Sequence, residues 1–237
     1  VRLDHLLTPI KCVAWPRFKS ESNIRFRFVP EEVRQVPEFP THRGRQTQAA
    51  IDTAARTVIA RKGVLATTIA DIAAEAGRSA ASFYNYYDSK EAMVRQWALR
   101  FRDEVNQRAL SVTSHGLSNR ERAYEAAAAH WNTYRNRLAE MVSVSQLAMV
   151  NEDFAQQWAD MCAVPISFIK ETVKRAQAED YCPGDDPQLV AEAIVAMFNQ
   201  FCYIQLSGSR TKEPDDLACI QTLANIYYRA IYGVEVS

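Results

Sequence analysis

Glycine is scarce in this chain, at 7 of 237 residues. A β sandwich or barrel depends on frequent turns, and turns draw on glycine, so an all-α fold is the better reading. Paired cysteines are missing as well. The 5 cysteines stand apart at positions 12, 162, 182, 202 and 219, with no C-x-x-C among them. An odd, scattered set supports neither a disulfide framework nor a zinc site, and it makes a reducing, cytoplasmic setting the expectation. The 4 histidines form no H-E-x-x-H or E-x-x-H pattern, so no metal is expected. No P-loop, G-x-G-x-x-G or G-x-S-x-G occurs, which argues against an enzyme and leaves no cofactor expected. The first residues lack the apolar run of a signal peptide. Residues 189–206 are strongly apolar but include Glu192, Asn199, Gln200 and Gln205, so a buried helix fits better than a membrane span, and no membrane partner is expected.

Net charge is absent too, with 28 basic against 28 acidic residues, but the balance hides an asymmetry. Residues 1–102 carry 17 Lys and Arg against 10 Asp and Glu; residues 103–237 carry 11 against 18. A basic front half joined to an acidic back half binds polyanions with one end only. Apolar residues at 48% suffice for a sizeable core. Five of the 9 prolines fall in residues 1–42, and no helical period survives them. That stretch reads as a flexible basic extension.

From Arg45 the pattern is helical. Ile51, Ala54, Ala55, Val58 and Ile59 share one helical face, and Gly63 suits the C-terminal cap. Thr68 with Asp71 forms a capping-box variant ahead of a short second helix, which Gly77 closes. Ser79 caps a third helix reaching about Tyr86, and Ser89 opens a fourth running to about Leu110. Further helices are expected over 119–141, 142–150, 153–178, 187–208 and 215–232, with Pro165 kinking or dividing the one that contains it.

Two short helices joined by a tight glycine turn have the spacing of a helix-turn-helix. Here the sequence resembles the tetracycline-repressor (TetR) family. Its members carry a T-hydrophobic-x-x-I-A-x-x-A-G-x-S helix and turn, followed by a block ending in [HY]-[FY]-x-[ST]-K-E. The chain matches at Thr68, Ile72, Ala73, Ala76, Gly77, Ser79, Ser82, Phe83, Tyr84, Tyr86, Tyr87, Ser89, Lys90 and Glu91. The resemblance implies a three-helix DNA-binding domain over 43–90 and a larger helical effector-binding and dimerisation domain over 91–237. It implies a homodimer that binds double-stranded DNA at a palindromic operator and releases it on binding a small, largely apolar effector.

A helix in the major groove turns its first residues to the base edges, which places Ala80, Ala81 and Ser82 there, with Asn85 one turn on. Tyr84 and Lys90 are expected on backbone phosphates, with Thr68, Ser79, Tyr86 and Arg78 beside them. Arg43 and Arg45, just ahead of the first helix, have the position of a minor-groove arm. Phe83 and Tyr87 read as core instead, by their helical spacing.

In the back half, Trp97, Phe101, His130, Trp131, Tyr134, Trp158 and Met161 are the candidate effector-binding residues, though each also suits a filled core. Val190, Ile194, Met197 and Phe201, and then Leu217, Ile220, Ala224, Tyr227 and Ile231, follow heptad-like spacing on two successive helices. They are the candidate dimer interface, with an intramolecular core as the alternative. A helical protein-interaction module without DNA affinity is the main rival function, and a helical enzyme the lesser one.

Overall fold

The computed structural model describes residues 42–109, 116–207 and 213–233, with the backbone alone for 105–109. Eight helices account for nearly all of them: α1 His42–Lys62, α2 Ile69–Glu75, α3 Ala80–Tyr84, α4 Lys90–Ala109, α5 Asn119–Ala148, α6 Glu152–Gln177, α7 Pro187–Leu206 and α8 Asp216–Tyr232. No strand occurs among the described residues. The expected extension over 1–42 lies outside them, except for its last residue, His42, which opens α1.

Local chemistry explains most helix ends. The Asp71 backbone N–H donates to Thr68 Oγ1 and the Thr68 N–H donates to the Asp71 carboxylate, a complete capping box. Ser118 and Glu121 repeat the device at the start of α5, and Asp186 followed by Pro187 starts α7. Two expectations about interruptions fail. Residues 119–148 form one helix, and its irregularity falls at Arg137 (φ −134°, ψ 30°), not at 141. Pro165 does not divide α6, which runs through it. Proline forfeits one backbone bond there, but burial of Phe154 before it in the first core and of Ile169, Val173 and Ala176 after it in the second anchors the helix on both sides.

The helices enclose two apolar cores. In the first, Ile51, Ala55 and Ile59 of α1 meet Ile72 of α2, Phe83 of α3, and Met93, Val94 and Trp97 of α4. Phe154 of α6 and Ala139, Val144 and Leu147 of α5 complete it. In the second, Ala123, Ala127, Trp131 and Tyr134 of α5 pack with α6, α7 and α8. The first core runs past residue 90 into α4, so packing does not break where the sequence pattern placed a domain boundary. α5 serves both cores, mainly the second before Arg137 and the first after it; Leu138 and Met141 are exceptions.

The seam expected at a dimer face mostly turns inward. Ile194, Ile220, Ala224, Tyr227 and Ile231 are buried in the second core, and Val190, Met197 and Phe201 pack against it. Leu217 alone of that set points out, 61% exposed. A heptad-like pattern marks an apolar stripe without saying which partner covers it, and here α5 and α6 of the same chain do. The outward faces carry Leu189, Ala193, Ala196, Tyr203 and Ile204 of α7 and Leu217, Ala218 and Ile226 of α8. α7 is the one described helix long and apolar enough to cross a membrane, and its buried side is packed into the second core.

Gly63 holds the α1–α2 turn against α5. Its φ of +76° is a conformation that side chains rarely adopt, and a Cβ there would meet Gln146 Oε1 at 2.6 Å. That oxygen already accepts the Val64 N–H at 2.9 Å. Gly63→Ala is therefore expected to lower unfolding stability by ~1–3 kcal/mol, from the strained backbone together with the displaced hydrogen bond. A urea midpoint unchanged from wild type would show that the turn is not constrained in this way.

Candidate nucleic-acid interface

α3 has five residues, too few to be stable alone, so its orientation must come from packing. Phe83 is its anchor, fully buried in the first core with its ring edge-on to Tyr84. Burying such a ring contributes ~2–3 kcal/mol. With Phe83 fixed inward, Ala80, Ala81, Tyr84 and Asn85 are left exposed and Ser82 half-buried. Tyr84 is 56% exposed although it is a large aromatic residue beside a core. Ser79 Oγ accepts the Ser82 N–H and shares a hydrogen bond with Ser82 Oγ. The cap thus fixes the serine that faces outward. Arg78 is exposed at the turn itself.

Behind α3 lies a polar framework that sequence reasoning missed. Asp52 of α1 is buried, and its Oδ1 accepts the Tyr87 hydroxyl at 2.6 Å and the Trp97 indole N–H at 3.3 Å. Arg100 of α4 reaches Oδ2 at 3.5 Å, and Gln48 Nε2 donates to the Tyr87 oxygen at 3.2 Å. Burial, and then the neighbouring carboxylate, pushes Tyr87 up to about 12, so it remains a donor at any physiological pH. Beside this set, Arg56 Nε is 2.8 Å from Glu140 Oε1 and its guanidinium lies over the Trp97 ring. Glu140 is 2% exposed. Arg137 bonds Glu104 of α4 and approaches Glu140 at 3.7 Å. A signal existed for both acids, since Asp52 follows Ile51 in the apolar stripe of α1 and Glu140 stands between Ala139 and Met141, and an acid at a buried position requires a paired charge or donor.

Several expected DNA contacts stand elsewhere. Lys90 turns inward, and its Nζ donates to the carbonyls of Val64 and Thr67, each at 2.9 Å, and of Leu65 at 3.4 Å. It closes the α1–α2 loop; an ammonium with three carbonyls in reach is satisfied without a phosphate. The Thr68 hydroxyl and N–H are both committed to Asp71. The Asp71 carboxyl is held well below its ordinary range, chiefly by its bond from Lys62 and then by Thr68. Tyr86 is half-buried against the first core. Arg43 and Arg45 lie within the first turn of α1, both exposed, and not on an arm that precedes it.

The candidate effector residues divide between the cores. Trp97 belongs to the first, pinned by Asp52. Trp131 and Tyr134 are buried in the second, and Phe101 packs against it. His130 stacks on Tyr134 with ring centroids 5.4 Å apart and meets the Phe198 edge at 5.3 Å. Trp158 and Met161 of α6 touch both cores. Among the described residues no cluster of three or more His, Cys, Asp or Glu could hold a metal ion.

Residues 51–96, which hold α2, α3 and their supports, match the family model described as bacterial regulatory proteins, tetR family. Those residues carry the tetR-family domain. The chain is 31% identical over 128 residues to the HTH-type transcriptional repressor KstR2 of Rhodococcus jostii (strain RHA1). That stretch covers 48% of this chain and 62% of the repressor, so under two thirds of its length is matched. The fold also resembles that of a tetR-family regulatory protein from Rhodococcus RHA1, at TM-score 0.63 and 20% identity, over 80% of this chain and 99% of that one. A second neighbour is a transcriptional regulator from Saccharomonospora viridis solved in complex with choline. It has TM-score 0.55 and 21% identity, over 79% and 98% of the two chains.

The inward turn of Lys90 separates two effects. Lys90→Met should lower stability by ~1–2 kcal/mol, because three loop carbonyls lose a charged donor. The slope of log affinity against log salt on duplex DNA should stay as in wild type, since no phosphate contact is removed. A slope shallower by about one with an unchanged urea midpoint would return Lys90 to the phosphates.

Proposed function

We propose that this chain is a homodimeric, cytoplasmic transcriptional repressor that holds a palindromic operator and releases it on binding a small, largely apolar effector. One observation carries the DNA-binding half: a five-residue helix is fixed by a buried phenylalanine so that Ala80, Ala81, Tyr84 and Asn85 face outward together. A rigid helix with a small-residue first turn suits close approach to base edges in the major groove. Ala80 and Ala81 take thymine methyl contacts, Ser82 and Asn85 offer hydrogen bonds to bases, and Tyr84 and Arg78 take phosphates. Arg43 and Arg45, on the first turn of α1, add positive charge on α1. KstR2, the matched relative, is named a repressor, which supports the same sign of regulation here.

The effector-binding residues are Phe101, His130, Trp131, Tyr134, Trp158 and Met161, without Trp97. The choline complex of a structural neighbour supports a small-molecule site in this fold. The dimer forms through the outward faces of α7 and α8, because Leu189, Tyr203, Ile204, Leu217 and Ile226 are all more than a third exposed and need a partner. The rival reading, an interaction module, predicts no salt-sensitive affinity for duplex DNA.

Two measurements test this. Tyr84→Phe should weaken binding to all duplexes about equally, while Ser82→Ala should change preference among operator variants by at most ~1–3 kcal/mol. Fluorescence anisotropy across a set of half-site variants, with centres at least about 34 Å apart, reads both. A Tyr84→Phe effect confined to one sequence would overturn the assignment. For assembly, Ile204→Glu and Ile226→Glu should give folded monomers by sedimentation, whereas Ile194→Glu should unfold, because it puts an unpaired carboxylate into the second core. A dimer that persists in Ile204→Glu/Ile226→Glu would place the interface elsewhere.

A further inference from the structure

We propose that Arg137 and Glu140 of α5 are positioning residues for DNA binding: they act through Arg56 on α1, and so on the pose of α3, without reaching the duplex themselves. α5 contains neither proline nor glycine, yet it leaves helical geometry at Arg137. The usual sequence causes of such a break are therefore missing. Side chains supply two others. Asn136 Nδ2 donates at 2.8 Å to the Asn132 carbonyl, which in a regular helix accepts the residue-136 N–H. Arg137 itself bonds Glu104 of α4.

The break falls where the two cores meet along α5. Trp131 and Tyr134 before it are buried in the second core, and Ala139, Val144 and Leu147 after it are buried in the first. Four charged side chains of alternating sign surround it: Glu104 of α4, Arg137 and Glu140 of α5, and Arg56 of α1. Arg137 lies 3.7 Å from Glu140, whose Oε1 accepts Arg56 Nε at 2.8 Å. Glu140 is 2% exposed, whereas Glu104, Arg137 and Arg56 are 40%, 29% and 37% exposed. The carboxylate with least water is thus the one shared by two arginines. A buried carboxylate that loses its cation is costly, so displacement of α1 from α5 at this point is resisted.

From Arg56 the path to α3 is short. Its guanidinium lies over Trp97, whose indole N–H donates to Asp52. Asp52 also accepts the Tyr87 hydroxyl, and Tyr87 packs against Phe83, the anchor of α3. None of these groups belongs to the exposed set Ala80, Ala81, Tyr84 and Asn85, so they bear on DNA only through where they hold α3. This deepens the proposed DNA-binding reading and rests on it.

The sign of a charge effect separates positioning from the general field. Removing an acid near a DNA-binding surface should, by field alone, tighten binding. Glu140→Gln, which keeps the side-chain shape, and Glu104→Gln, at the more exposed end, are instead expected to weaken it by about threefold to tenfold. Affinity is measured on a duplex that the wild-type protein selects from random sequence, well below each variant's unfolding temperature. In a cycle with Arg56→Met, the double variant Arg56→Met/Glu140→Gln should lose no more than the worse single variant. Hydrogen exchange in the absence of DNA gives a second readout: amides of residues 80–87 should exchange faster in Glu140→Gln, with α7 unchanged. Wild-type or tighter binding by Glu140→Gln, or losses in the cycle that simply multiply, overturns the proposal; lowered stability with unaltered affinity would leave these residues a structural role only. If the wild-type protein shows no salt-dependent affinity for any duplex, the regulator reading falls with the role at DNA. The link from α5 to α3 is then decided by exchange alone, and unchanged rates over 80–87 overturn it too.

Discussion

The carboxylate of Asp52 is the constraint on which the half of the molecule that holds α1 to α4 depends. A buried acid is tolerated only if its lone pairs are filled, and three side chains from two further parts of the chain fill them. Tyr87 comes from the segment after α3, and Trp97 and Arg100 come from α4. Asp52 itself sits on α1, beside Ile51 in the same core. The angle between α1 and α4 and the position of the segment that follows α3 are therefore tied to one oxygen pair. Apolar packing alone would hold these helices together, but it is tolerant of rotation and slip; directed bonds to a single buried group are not. The short α3 inherits its pose from this framework through Phe83, which packs against Tyr87 with ring centroids 5.5 Å apart.

The second structural theme is that α5 belongs to both halves. Its departure from helical geometry at Arg137 separates a segment packed mainly in the second core from one packed mainly in the first. The same residue pairs with Glu104 on α4 and approaches Glu140, which in turn pairs with Arg56 on α1. Glu140 thus couples the α5 kink to α1, and Arg56 over Trp97 brings the pair against the Asp52 set. Breaking one partner of such a buried pair is costly because the other charge is stranded.

Much of this was legible in the sequence. The all-helical content, with one division too many in α5, the Thr68–Asp71 capping box and the glycine at the α2–α3 turn follow from local rules, because caps and turns are decided by residues within a few positions of one another. The buried stripe of α1 and the inward aromatics Phe83 and Tyr87 were legible from period alone. What local rules could not supply was the identity of partners across the chain. Lys90 follows a cap and looks like a phosphate ligand, yet the carbonyls it meets belong to residues 64, 65 and 67. Trp97 has the look of a pocket residue until Asp52, 45 positions away, is placed on its indole. The α7 and α8 stripes were visible, but a helix with apolar residues on two faces gives no sequence signal for which face meets its own chain.

That last ambiguity bears on how the proposed regulator would switch. With Ile194, Tyr227 and their neighbours committed inward, the second core and the outward faces of α7 and α8 are two sides of the same helices. Trp131, Tyr134 and Phe198 are buried in the second core, so an effector of the proposed regulator would have to displace packed side chains there. Two physical connections lead away from that core. One is α7 itself, whose opposite face is the proposed dimer surface. The other runs along α5 through Arg137, and through Trp158 and Met161, to the first core. In the proposed dimer either would alter the placement of α3 relative to its mate, and since a palindromic operator would fix that placement, a displacement in each copy would count twice. By linkage, whatever affinity for DNA the ligand removes, DNA removes from the ligand, a coupling typically of about 1–3 kcal/mol.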